Sequence, residues 1–109
     1  MRRGEVYWCL LGPHAGRRPV VILSRSSALG YLATVTVAEV TTTVHGSPAE
    51  VPLDASQGLP QACVVNLHNV HAIRKTALAG YVGSLDVSKM RAVEDALCWA
   101  LGMDRFLTI

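Results

Sequence analysis

From residue 5 to about residue 84 the chain is one short β-favouring run after another, each cut off by glycine, proline or small polar residues. Only after that does a helical repeat appear. This order restricts the fold more than any single residue does. Short strands followed by one late helix make a small, strongly bent sheet with the helix on one side.

The first run, Glu5 to Leu11, is aromatic, aliphatic and β-branched, and stops at Gly12-Pro13. A second strand is expected over Val20 to Ser24 and a third over Tyr31 to Val44. In the third, a period of two places Val35, Val37 and Glu39 on one face. Thr34, Thr36, Ala38 and Val40 share the other. His45-Gly46-Ser47-Pro48 is a turn, and Glu50 to Leu53 a short strand that Pro52 marks as an edge. Strands over Ala62 to Leu67 and Asn69 to Ile73 follow, separated by a bulge. A helical turn at Lys75 to Leu78 and a last strand at Gly80 to Gly83 complete the sheet. Val87, Met90, Val93, Leu97, Ala100 and Leu101 then recur at three- and four-residue spacing. This predicts an amphipathic helix over Val87 to Leu101, with Asp86 as N-cap and Gly102 as its stop. The apolar tail, Met103 to Ile109, is expected to pack on the body or on a partner subunit.

With 109 residues, half of them hydrophobic, the chain has material for one core, so residues 1–109 are expected to form a single domain. A net charge of +2 is too small to imply nucleic-acid binding on its own. Basic residues nevertheless cluster at Arg2-Arg3, Arg17-Arg18, Arg25 and Arg74-Lys75. Three cysteines without a CxxC pair, all with apolar neighbours, fit core positions in a reducing compartment. No signal peptide or membrane-length apolar run is visible, so a cytoplasmic location is expected. His68 and His71 are three apart, which on a strand sends them to opposite faces. No zinc, Walker, dinucleotide or nucleophile-elbow motif is present, and no cofactor is expected.

Chemistry therefore rests on polar residues at strand ends and loops: Arg17, Arg18, Thr41, Thr42, Thr43, His45, Asn66, His68, Asn69 and His71. The segment Gly16 to Ser24 sets two guanidiniums before Pro19 and an aliphatic strand. These are either solvated turn residues or a grip for a phosphate. Arginine with hydroxyl donors can hold a phosphodiester and stabilise the charge that grows on it in a transition state.

Several blocks resemble, in order, those of the MazF/PemK toxins of bacterial toxin–antitoxin modules. Arg3-Gly4-Glu5-Val6-Tyr7-Trp8 is similar to the family's opening RGEVYW. Arg17 to Ser24 resembles RRPVVVLS, and Val37 to Thr41 a strand ending in P/A-L/I-T. Gly58-Leu59-Pro60 with Cys63 to Leu67 resembles GLPKDSVVNL. Gly83-Ser84-Leu85 and the helix resemble the closing block. The resemblance implies an SH3-like small β-barrel with a C-terminal helix, working as a homodimer. It implies sequence-specific, metal-independent cleavage of single-stranded RNA, with 2′-OH attack giving 2′,3′-cyclic phosphate and 5′-OH ends. It also implies neutralisation by a cognate MazE-like antitoxin. The catalytic pair falls on Arg18 and Thr41, and RNA contacts on His14, Arg17, Arg25, Thr43, His68 and Asn69.

Two departures stand out. The Gly12 to Gly16 loop is shorter than the family's, which predicts a more open cleft. His68-Asn69-Val70-His71 replaces an acidic residue followed by Gln and Ile-Arg. An arginine keeps its proton across the neutral range and is a poor proton acceptor, so Arg18 is read as a clamp on the phosphorane. His14, His45 or His68 is a candidate for proton transfer. A gyrase-binding toxin resembling CcdB, or a non-catalytic nucleic-acid-binding barrel, is the alternative.

Overall fold

The computed structural model describes residues 1–10 and 16–107. Six strands form one antiparallel, curled sheet, a half-barrel: β1 (Glu5–Leu10), β2 (Arg17–Ile22), β3 (Thr34–Thr41), β4 (Glu50–Leu53), β5 (Cys63–Arg74) and β6 (Leu78–Ser84). Their spatial order is β4-β5-β3-β2-β1-β6, and α1 (Val87–Ala100) follows the last strand. The expected bent sheet with one late helix is what forms. Pro52 lies on β4, an edge strand, where a missing N–H costs no ladder bond.

The period of two in β3 separates two cores. Ala38 and Val40 join Val6, Val21, Val51, Leu53, Val65 and the helix residues Met90, Val93 and Ala96. Val35 and Val37 pack on the opposite face with Cys9, Val20, Ile22 and Leu29. β5 is long enough to serve both halves. Its register against β3 jumps between Ala38↔Val70 and Glu39↔Asn66, so Leu67, His68 and Asn69 are extra residues on the β5 side. That bulge bends the strand, and it merges the two separate strands expected from the sequence into one.

Other boundaries moved for identifiable reasons. β3 is shorter than Tyr31 to Val44, because its pairing with β5 runs only from Thr34↔Arg74 to Thr41↔Val64. β2 begins at Arg17, before Pro19, since β1 supplies partners for Arg17 and Arg18 in Leu10 and Cys9. The two arginines are thus strand residues, and period-two alternation sends their side chains to opposite faces.

The helix matches its expected span to within one residue. Asp86 caps it by accepting from the Lys89 N–H. Gly102, at φ 72°, ends it, with Met103 N–H donating to the Cys98 carbonyl and Gly102 N–H to that of Trp99. Val87 and Leu101, expected on the buried face, are 78% and 61% exposed because they sit at the two ends, beyond the sheet's cover. Ala96 is buried instead, alongside Met90 and Val93. Leu107 of the tail lies on the body, beside Trp99, Pro48 and Val51, but Met103 and Phe106, expected to pack as well, are exposed.

Candidate active site

A cleft of about 340 Å³ opens where β2 begins and β3 ends. Its walls are Trp8, Arg17, Arg18 and Pro19 on one side and Val40, Thr41, Thr42 and Thr43 on the other, with Leu59, Pro60, Gln61 and Cys63 closing it. The gap has a local cause. Pairing of β2 with β3 starts at Val20↔Glu39, just past Pro19, so the first residues of β2 have no β3 partner. Two segments distant in sequence, Arg17–Arg18 and Thr41–Thr43, meet across that gap.

Each side chain there is set up differently. Arg17 stacks on Trp8, its Cζ 4.5 Å from the ring centroid, which holds the charge at the surface. Arg18, half-exposed, has its Nε 3.6 Å from Glu39 Oε1. Glu39 in turn hydrogen-bonds through its other oxygen to His71 Nε2. The Thr41 hydroxyl oxygen accepts from the Thr43 N–H at 3.1 Å, which leaves the hydroxyl's own proton free to donate. Five of the candidates named from the sequence, Arg17, Arg18, Thr41, Thr42 and Thr43, therefore line one cleft.

The remaining candidates lie elsewhere. His14, with most of the Gly12 to Gly16 loop, falls outside the described residues. Arg25 follows β2 at its far end, roughly 20 Å from Arg18 at an extended rise of about 3.3 Å per residue. His68 and Asn69 belong to the β5 bulge, and neither lines the cleft. The His68 ring meets Trp99 of α1 edge-on, centroids 5.9 Å apart. His45 sits in the turn before β4, where its N–H and those of Gly46 and Ser47 converge on the Glu50 carboxylate. Those backbone hydrogen bonds, His45's first, hold Glu50 below the usual carboxylate range.

Sequence reasoning missed Trp8, Leu59, Pro60 and Gln61 as cleft walls, and Glu39 as the partner of Arg18. The signal for Glu39 was present: a lone carboxylate continuing the Val35, Val37 face. The thiols are poorly suited to nucleophilic attack. Burial pushes Cys9 and Cys63 up, with the Glu39 charge adding to the first and the Asp54 charge to the second. Among the described residues, no three His, Cys, Asp or Glu side chains are grouped to hold a metal ion.

Residues 2–101 match the model of the PemK-like, MazF-like toxins of type II toxin–antitoxin systems. The chain belongs to this family. Among its MazF relatives, the probable endoribonuclease MazF5 of Mycobacterium tuberculosis is 40% identical over 104 residues, covering 94% of each chain. Endoribonuclease MazF3 of the same species is 41% identical over 87 residues, covering 80% of this chain and 84% of that one. The solved structure of M. tuberculosis toxin MazF-mt6 superposes with a TM-score of 0.84 at 37% identity, covering 90% of this chain and 96% of that one. A mycobacterial endoribonuclease solved in complex with its cognate antitoxin gives 0.84 at 32%, covering 94% and 96%.

Proposed function

We propose that this chain is a MazF-type endoribonuclease toxin whose cleft cleaves single-stranded RNA at a recognised sequence without a metal ion. The observation that carries this reading is the meeting of Arg18 and Thr41 across the gap between β2 and β3, in a chain of this family. The ribose 2′-OH attacks the adjacent phosphorus, the P–O5′ bond breaks, and the products are a 2′,3′-cyclic phosphate and a 5′-OH end. Arg18 supplies a fixed positive charge where the pentacoordinate phosphorane accumulates negative charge, and Thr41 donates its free proton to a non-bridging oxygen. Arg17 and Thr43 contact the flanking phosphates. Arg25, His68 and Asn69 lie away from the cleft, so any RNA contact they make is to more distant nucleotides. The working form is a homodimer in the cytoplasm, residues 1–109 act as one domain, and a cognate MazE-like antitoxin neutralises the toxin.

The test is incubation with single-stranded RNA in EDTA beside an Arg18→Ala control, with both fragment ends mapped. Cleavage to 5′-OH ends that disappears in the control supports the reading. Intact RNA with inhibited gyrase, or a salt-sensitive mobility shift without cleavage, overturns it.

A further inference from the structure

Glu39 has no place in the mechanism above, yet it stands between its two central residues. It faces Val20 across the ladder, so Arg18, two residues from Val20 on the same face, is its diagonal neighbour. Thr41 is the next residue along Glu39's own face. The side chain of Glu39 is only 17% exposed, a costly position for a carboxylate without partners. Its partners are His71, on the neighbouring strand β5, and Arg18.

The two contacts differ in kind. His71 Nε2 hydrogen-bonds to Glu39 Oε2 and so fixes the carboxylate. The approach to Arg18 is closest at Nε, at 3.6 Å, too long for a hydrogen bond but well within ion-pair range. A carboxylate that took the Nη1/Nη2 edge of the guanidinium in a bidentate pair would block phosphate binding. Contact at Nε orients the group and leaves that edge for an anion.

We infer that Glu39 is a positioning residue for Arg18, and that His71 acts on Arg18 through Glu39: the chain His71–Glu39–Arg18 aims the guanidinium's free edge at the phosphate in the cleft. This rests on the reading of Arg18 as the phosphate clamp. It places a role on two residues that lie outside the cleft wall. His71 moves no proton in this scheme; its function is to keep the carboxylate from turning to solvent.

The experiment has two independent readouts on the full chain, each variant first checked for native circular dichroism. The first is steady-state cleavage of a single-stranded RNA. Glu39→Ala is expected to lower kcat by about 10- to 100-fold with KM changed less than about threefold, as misaiming a transition-state contact does. Glu39→Gln keeps an oxygen for Arg18 and recovers kcat to within about fivefold of the parent. His71→Ala costs about three- to tenfold in the parent chain but less than about twofold in the Glu39→Ala background, since its only route is gone. Independent, multiplicative losses, or a loss confined to KM, overturn the inference. The second readout is the ¹⁵N relaxation of the Arg18 Nε–H group, which does not require RNA cleavage. Its order is expected to fall in Glu39→Ala and, through Glu39, in His71→Ala. Unchanged order in both variants overturns the inference. If the parent fails to cleave RNA while Arg18 still loosens in both, the ribonuclease reading falls and the positioning chain stands.

Discussion

Gly83 offers the sharpest test of how the cleft is held. It lies in β6, opposite Val6 of β1, and its backbone touches the Ala55–Gln57 turn directly. A Cβ added at Gly83 would sit 1.9 Å from the Gln57 carbonyl oxygen, whereas ordinary contact begins near 3.4 Å. The contact is reciprocal: at Gly58, where φ is +87°, a Cβ would lie 2.3 Å from the Val82 carbonyl oxygen. The turn cannot rotate away cheaply, because the Gln57 side chain accepts from the Asp54 N–H while the Asp54 carboxylate accepts from the Ser56 N–H. Gly83→Ala must therefore push turn and strand apart by about 1.5 Å. Overpacking of this kind costs about 1–3 kcal/mol, and alanine in a strand regains about 0.5–1 kcal/mol over glycine. The net is about 1.25 kcal/mol of lost stability, or a Tm lower by roughly 5–10 °C. Gly80→Ala on the same strand is the matched control, its nearest atom being Trp8 Cδ1 at 3.9 Å; it should be neutral or slightly stabilising. Thermal unfolding followed by circular dichroism reads both. Because the turn runs straight into Leu59–Gln61 of the cleft wall, Gly83→Ala should also raise KM for RNA. A Gly83→Ala variant that melts at or above Gly80→Ala would mean that the turn and β6 are not held in fixed contact.

Other outcomes follow from the same geometry. Arg18→Lys keeps the charge but loses the planar fork, and kcat should fall by about 10²- to 10³-fold in single-turnover cleavage. Thr41→Ser should retain most activity and Thr41→Val should lose it, because the proposed step uses only the hydroxyl proton; quenched-flow cleavage compares the two. Arg17→Ala should weaken RNA binding and reduce the salt dependence by about one ion, with kcat at saturation unchanged, as read by titration at several salt concentrations. Glu50 is held low by backbone N–H groups, so its protonation is resisted in the folded chain. The unfolded chain binds that proton first as the pH falls. The resulting stability is complete above the ordinary carboxylate range and is lost as the pH drops through the depressed value. Urea unfolding between pH 7 and pH 3 should show a smaller acid loss in Glu50→Gln than in the parent.

How far the sequence could be read depended on the range of the forces involved. Alternation in β3 is a local property, and it correctly separated Val35 and Val37 from Ala38 and Val40, hence the two cores. The helix and its Asp86 cap were legible for the same reason. Arg17 and Arg18 looked like loop residues because Pro19 reads as a strand start; their strand character comes from pairing with Leu10 and Cys9, which no local pattern reports. Thr41 was nominated by resemblance, and its nearness to Arg18 needed the β2–β3 register. Trp8 and Gln61 reach the cleft from separate segments, and Glu39 acquires meaning only once Arg18 and His71 are placed beside it.

In the proposed reaction a 2′-OH of the RNA itself attacks the phosphorus clamped by Arg18. Its most direct test replaces the ribose 5′ of a mapped cleavage site by 2′-deoxyribose within an otherwise unchanged RNA. This strand should still bind, but cleavage at the site should disappear. Continued cleavage at the deoxy position, with fragments bearing a 3′-phosphate or 3′-hydroxyl, would mean that water or a protein group is the nucleophile and would contradict the proposed reaction.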